Sequence, residues 1–132
     1  RAMVRPCMRN EIFGWVWIVA GFGSGALLGL FFHRGDFLGG YDTYRRRLVR
    51  LGHISFFGLG ILNILYAVSL SRATLEAGEL AIGSWAMIVG GISMPLCCLL
   101  NAWKPLFKFA FAIPVAALVW GATILIKGLM TP

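Results

Sequence analysis

The chain has 132 residues, of which 59% are hydrophobic and 13% charged, with a formal net charge of +7. A soluble domain is about 45–50% apolar and about 25% charged, so this composition speaks against an ordinary water-soluble fold. The basic residues lie beside long apolar runs, so the positive balance reads as anchoring against anionic lipid headgroups and not as a nucleic-acid footprint.

Four stretches carry no Asp, Glu, Lys or Arg: Ile12–Phe32, Leu51–Leu70, Leu80–Leu100 and Phe109–Ile126. Each is near the ~20 residues needed to cross a ~30 Å hydrocarbon core as a helix. Backbone polar groups in lipid must be satisfied internally, by a helix or a closed barrel, and the runs lack the alternation of barrel strands. The predicted fold is therefore all-α: an integral membrane four-helix transmembrane bundle, one unit over residues 1–132. The second and third connections are short, which predicts antiparallel neighbours.

The N-terminal segment Arg1–Glu11 reads as a basic lead in which Pro6 argues against a continuous helix. The first apolar run is too long for a signal-peptide core and lacks a small-residue cleavage pattern, so it is expected to be retained. Trp15 and Trp17 suit the membrane interface. Gly21, Gly25 and Gly29 then recur at steps of four, a double GxxxG stripe on one helical face. Such a stripe permits close helix approach, either to another span of this chain or to a different polypeptide.

The first connection, His33–Arg50, is made irregular by Gly35, Gly39 and Gly40, and Asp42 or Thr43 can cap the next helix. In YRRRLVRLGHI, Leu48 and Leu51 share a face, while Arg45, Arg46, Arg47 and Arg50 are expected to meet water or lipid phosphate. Along span two, His53, Gly60, Asn63 and Ala67 form a stripe predicted to face inward. Asn63 is the only amide deep in a span, suited to an interhelical hydrogen bond or to a quinone or other ligand.

Span three is rich in small residues (Gly83, Gly90, Gly91 and Ser93) and carries Pro95; span four is Ala-rich and carries Pro114. A proline inside a helix frees a carbonyl and permits a kink, as a structural bend or as a gate. Loops 33–50 and 101–108 together hold more Lys and Arg than the opposite side, which has Arg1, Arg5, Arg9, Arg72 and Lys127. This places those loops in the cytoplasm and both termini outside. The stretch RLVRLGHISFFGLGILNILYA resembles many small bacterial membrane proteins, which points to a bacterial inner membrane.

Few residues invite chemistry. His33 ends span one and His53 begins span two, so both lie at the same end of one hairpin. Two imidazoles there could hold a b-type haem, with nearby arginines on its propionates. Met87, Met94, Cys97 and Cys98 offer soft ligands, but adjacent cysteines diverge by about 100° on a helix and cannot readily share an ion, so no metal site is expected. Three cysteines give no disulfide framework. No Asp, Glu, Lys or Arg lies within a predicted span, which argues against a pump or ion-coupled transporter, and no catalytic set is present. The expectation is a non-catalytic accessory subunit of a larger membrane complex, with a respiratory or photosynthetic electron-transfer complex as host. The alternatives are a bis-histidine haem anchor linked to quinone and an oligomeric small-molecule permease.

Overall fold

A computed structural model describes residues 4–131, with side chains from residue 7 onward. The described chain is all-helical: α1 (Val4–Phe32), α2 (Tyr44–Leu70), α3 (Ala77–Trp103) and α4 (Ala112–Met130). A short 3-10 turn covers Phe37–Gly39, and a longer 3-10 stretch, Pro105–Phe111, leads into α4. The segments Cys7–Phe32, Tyr44–Leu70, Ala77–Trp103 and Pro105–Met130 are each long and apolar enough to cross a membrane, which fits a multi-pass membrane protein.

The expected basic lead is corrected. α1 starts at Val4, well before Ile12, and runs through Pro6. Proline is tolerated there because the first N–H groups of a helix have no intrahelical acceptor. Arg9, Asn10 and Glu11 thereby become helical residues, and Arg9 reaches the packed interior. Arg1 and the side chain of Arg5, counted above for orientation, lie outside the described residues.

The helices pack in chain order: α1 on α2, α2 on α3 and α3 on α4, with α1 also touching one part of α3. Along the α1–α2 pair, Gly14 meets Gly60, Gly21 meets Phe57, Gly25 meets His53 and Phe32 meets Arg46. α3 is the inner helix: half of its apolar window is buried, against 6% for α1 and 11% for α4. Its buried face carries Leu80, Met87, Ile88, Cys97 and Cys98. Tyr66, Leu70, Leu80 and Met87 form one core cluster, and Leu48, Val49 and Ala102 form a second at the opposite end of α2.

Glycines set how closely the helices approach. The tightest α1–α2 crossing joins Gly14 and Gly60: a Cβ on Gly14 would stand 2.5 Å from the Gly60 carbonyl oxygen, and one on Gly60 would stand 2.8 Å from that of Gly14. On α3, Gly90 receives Leu118 of α4, and Gly121 of α4 receives Met87 in return.

Pro95 stands inside α3, and the carbonyl it frees is answered by a neighbouring side chain. Pro95 has no N–H to offer the carbonyl four residues earlier, that of Gly91. The indole Nε1 of Trp17, on α1, donates to the Gly91 oxygen at 3.0 Å. Pro114 stands in the first turn of α4, where no intrahelical bond is lost, and the Ala110 carbonyl just before that helix accepts from the Cys97 thiol at 3.4 Å. Trp17, expected at an interface, is thus turned inward, whereas Trp15 is exposed.

Candidate functional site

Polar side chains gather at three places. The first lies where α1, α2 and α3 meet. Asn10, Asn63 and Ser84 are all fully buried there. Asn10 Nδ2 donates to Asn63 Oδ1 at 2.8 Å, and the Ser84 hydroxyl donates to Asn10 Oδ1. Asn63 Nδ2 serves the carbonyls of Leu59 at 2.9 Å and Met87 at 3.3 Å. Arg9 covers the cluster, donating from Nη2 to Ser84 Oγ at 3.0 Å and lying 4.3 Å over the Trp85 ring. Every amide atom of Asn10 and Asn63 is engaged by protein, so the cluster ties three helices together and leaves no free amide for a ligand.

Arg46 makes the second. The expectation that it meets water or lipid phosphate is corrected: it is fully buried. Its guanidinium lies 3.8 Å from the ring centre of Tyr41 and 4.6 Å from that of Phe32. Nη2 donates to the Phe32 carbonyl at 2.9 Å, and Nη1 reaches the Arg34 carbonyl at 3.5 Å. A cation is favoured at a helix C-terminus, where carbonyls lack intrahelical partners, so Arg46 closes the end of α1. Thr43 positions it. As the N-cap of α2, Thr43 accepts from the Arg46 N–H, and its hydroxyl faces the carbonyls of Leu38 and Gly40, each at 2.9 Å. Gly39 and Gly40, with φ of 87° and 111°, take a backbone conformation that other residues rarely adopt. Arg45, Arg47 and Arg50 are all exposed, in contrast to Arg46.

The third place surrounds His53. Its ring lies against Gly25, where a Cβ would come within 2.8 Å of Cε1, and packs edge-on to Phe57. Nδ1 is 3.0 Å from Ser24 Oγ. Ser24 Oγ also lies 2.9 Å from the Gly21 carbonyl. The hydroxyl has one proton for that carbonyl and for Nδ1, so its direction sets which imidazole nitrogen carries hydrogen. His53 and Arg50 line a groove of about 250 Å³ beside Gly25 and Gly29.

His53 sits on Gly25, and His33 lies eight residues beyond Gly25, just past the end of α1, about 12 Å at the rise of a helix. Of the glycine stripe, Gly21 and Gly25 are occupied by Phe57 and His53 of the same chain, and a Cβ on Gly29 would meet nothing within 4 Å. Met87 is buried against α4 and Cys98 against Gly52, and among the described residues no group of three or more His, Cys, Asp or Glu could hold a metal.

Asn10, Gly14 and Ser84 carry no role in the sequence reading, and Arg9 enters it only as a surface charge. A signal for the first two exists: Asn10, Gly14, Trp17 and Gly21 fall at offsets of four, seven and eleven, one helical face continuous with the glycine stripe. Comparison with protein-family models, curated proteins and solved structures gave no match.

Proposed function

We propose that the chain is an integral membrane protein with four antiparallel spans that serves as a non-catalytic accessory subunit of a larger membrane complex. The observation that carries this reading is the uncovered apolar surface of the two outer helices. On α1, Ile12, Trp15, Val19, Phe22 and Leu30 are more than half exposed; on α4, Ile113, Val119, Trp120 and Ile126 are as well. Surface of this kind belongs against lipid or another subunit. The buried Asn10, Asn63 and Ser84, by contrast, are spent on holding helices together. Of the expected flex points of a permease, Pro95 has its freed carbonyl engaged by Trp17 of α1, and Pro114 stands in the first turn of α4, where no intrahelical bond is lost, which favours a static bundle.

An electron-transfer complex of respiration or photosynthesis is the proposed host, in a bacterial inner membrane with loops 33–50 and 101–108 on the cytoplasmic side. Mild-detergent extraction followed by native electrophoresis and mass spectrometry of co-migrating chains tests this. Co-migration with a larger assembly is expected. Migration solely as a small free protein would remove the subunit reading, and release from membranes by alkaline carbonate would remove the integral one.

A further inference from the structure

The groove beside His53 opens sideways from the α1–α2 pair at the arginine-rich end of the molecule. Gly25 and Gly29 form one wall, and Leu28, Phe32 and Ile54 provide apolar flanks. Its polar lining is Arg50 and His53, on one face of α2 at a spacing of three. No acidic residue lines it.

These two side chains offer different chemistry. Arg50 is exposed and supplies guanidinium donors suited to phosphate. His53 Nε2 has no partner among the described residues, and it donates or accepts according to its tautomer. A ligand that satisfies both carries an anionic phosphate and, a few atoms away, a hydroxyl, which can bond to either form of the imidazole. The apolar flanks require that it also carry hydrocarbon.

We propose that this groove is a binding site for an anionic phospholipid with a hydroxylated headgroup, of the phosphatidylglycerol class. Arg50 binds its phosphate, His53 Nε2 bonds to its headgroup hydroxyl, and an acyl chain lies along Leu28, Phe32 and Ile54. Charge complementarity selects this occupant: Arg45 is exposed on the same helix end and extends the positive field around the groove. Gly29 leaves the entrance open, since it lines the groove and a side chain there would meet no other part of the protein. The site depends on the membrane reading above but not on the existence of a partner subunit.

The test uses the full chain, delipidated in a neutral detergent. Phosphatidylglycerol, phosphatidylcholine and glycerol 3-phosphate are each titrated while thermal unfolding and bound lipid by native mass spectrometry are followed. Phosphatidylglycerol is expected to raise the unfolding midpoint and to remain bound, and the other two are not. Arg50→Gln should weaken binding about fivefold, the contribution of one basic side chain near an anionic surface. Gly29→Leu should abolish it by filling the groove, with unchanged helicity, because the position is open. Arg45→Gln, outside the groove, should leave the saturable component intact. Equal stabilisation by phosphatidylcholine, full effect of glycerol 3-phosphate alone, or undiminished binding in Gly29→Leu would each overturn the site. Failure of the membrane reading itself would show separately, as extraction of the protein without detergent.

Discussion

The pairing of Trp17 with the carbonyl freed by Pro95 can be isolated by a double-mutant cycle. Trp17→Phe removes the indole N–H while keeping an aromatic ring between Phe13 and Phe56, whose centroids lie 4.6 and 5.3 Å from that of Trp17. The Gly91 oxygen then has neither an intrahelical donor, because residue 95 is proline, nor the 3.0 Å bond from α1. An unpaired buried carbonyl costs about 1–3 kcal/mol in general. Interhelical hydrogen bonds in membrane proteins average about 0.6 and reach about 1.7 kcal/mol, because the competing state also finds partners. An expected loss of about 1 kcal/mol follows, plus a packing term for the smaller ring. In the Pro95→Ala background, the introduced alanine brings an N–H that can bond to Gly91 within α3. There Trp17→Phe should cost the packing term alone. The coupling, read from denaturant unfolding in detergent for the four chains of the cycle, should be about 1 kcal/mol. An equal cost of Trp17→Phe in both backgrounds would mean that the proline's orphaned carbonyl does not depend on the indole, and the account of α3 would be wrong.

Gly14→Ala should destabilise by about 1–3 kcal/mol, the range for overpacking, because its methyl would meet the backbone of α2 as well as a side chain. Gly23→Ala, facing open space, should leave the unfolding midpoint unchanged or raise it. Asn63→Leu should cost about 1–2 kcal/mol, since it strips Asn10 of one buried acceptor; Asn10→Leu made in addition should cost less than the sum of the two single changes, measured in the same unfolding assay. Arg46→Lys should cost about 1.5–3 kcal/mol despite its retained charge, because an ammonium cannot both lie flat on Tyr41 and reach the Phe32 carbonyl. Faster proteolysis of the 33–43 connection should accompany that loss.

The four helices were legible because charge is absent from four long windows, a signal that no local detail can mask. The ends were harder. α1 begins before Ile12 because the constraint proline imposes depends on its position: Pro6 stands in the first turn, where no intrahelical bond is lost. A cap at Asp42 or Thr43 and the turn at Gly39 and Gly40 were readable from residue type, since each follows from local backbone chemistry, and the structure uses Thr43. Arg46 was not. Within the run Arg45–Arg47 the three side chains are chemically alike, and only the approach of the Phe32 carbonyl and the Tyr41 ring decides which one is buried. Likewise the stripe Gly21–Gly25–Gly29 suggested a backbone crossing, whereas the crossing falls at Gly14 and the first two of those glycines receive the rings of Phe57 and His53. Spacing identifies a helix face that can be approached closely; it does not say which position will be used, because that depends on what side chains the neighbour brings.

Attachment of α4 follows different physics from the rest of the bundle. α1, α2 and α3 are joined by buried polar bonds through Asn10, Asn63, Ser84 and Trp17, and Arg46 ties the end of α1 to the start of α2. α4 rests on α3 through small-residue sockets, Leu118 over Gly90 and Met87 over Gly121. At its far end the exposed pair Lys127–Glu79 adds a surface contact of small expected value. In lipid, apolar surface gains little by exchanging acyl chains for protein, so this attachment depends on close fit. Trp120, at 60% exposure, stands near the middle of the outer face of α4. If this face receives a neighbouring subunit, Trp120→Ala should leave the unfolding midpoint of the isolated chain unchanged and release the chain from its assembly on native gels. The same substitution without effect on migration would exclude the centre of α4 as the anchor of the interface and move the expected contact to α1, where Trp15 and Phe22 are the corresponding exposed aromatics.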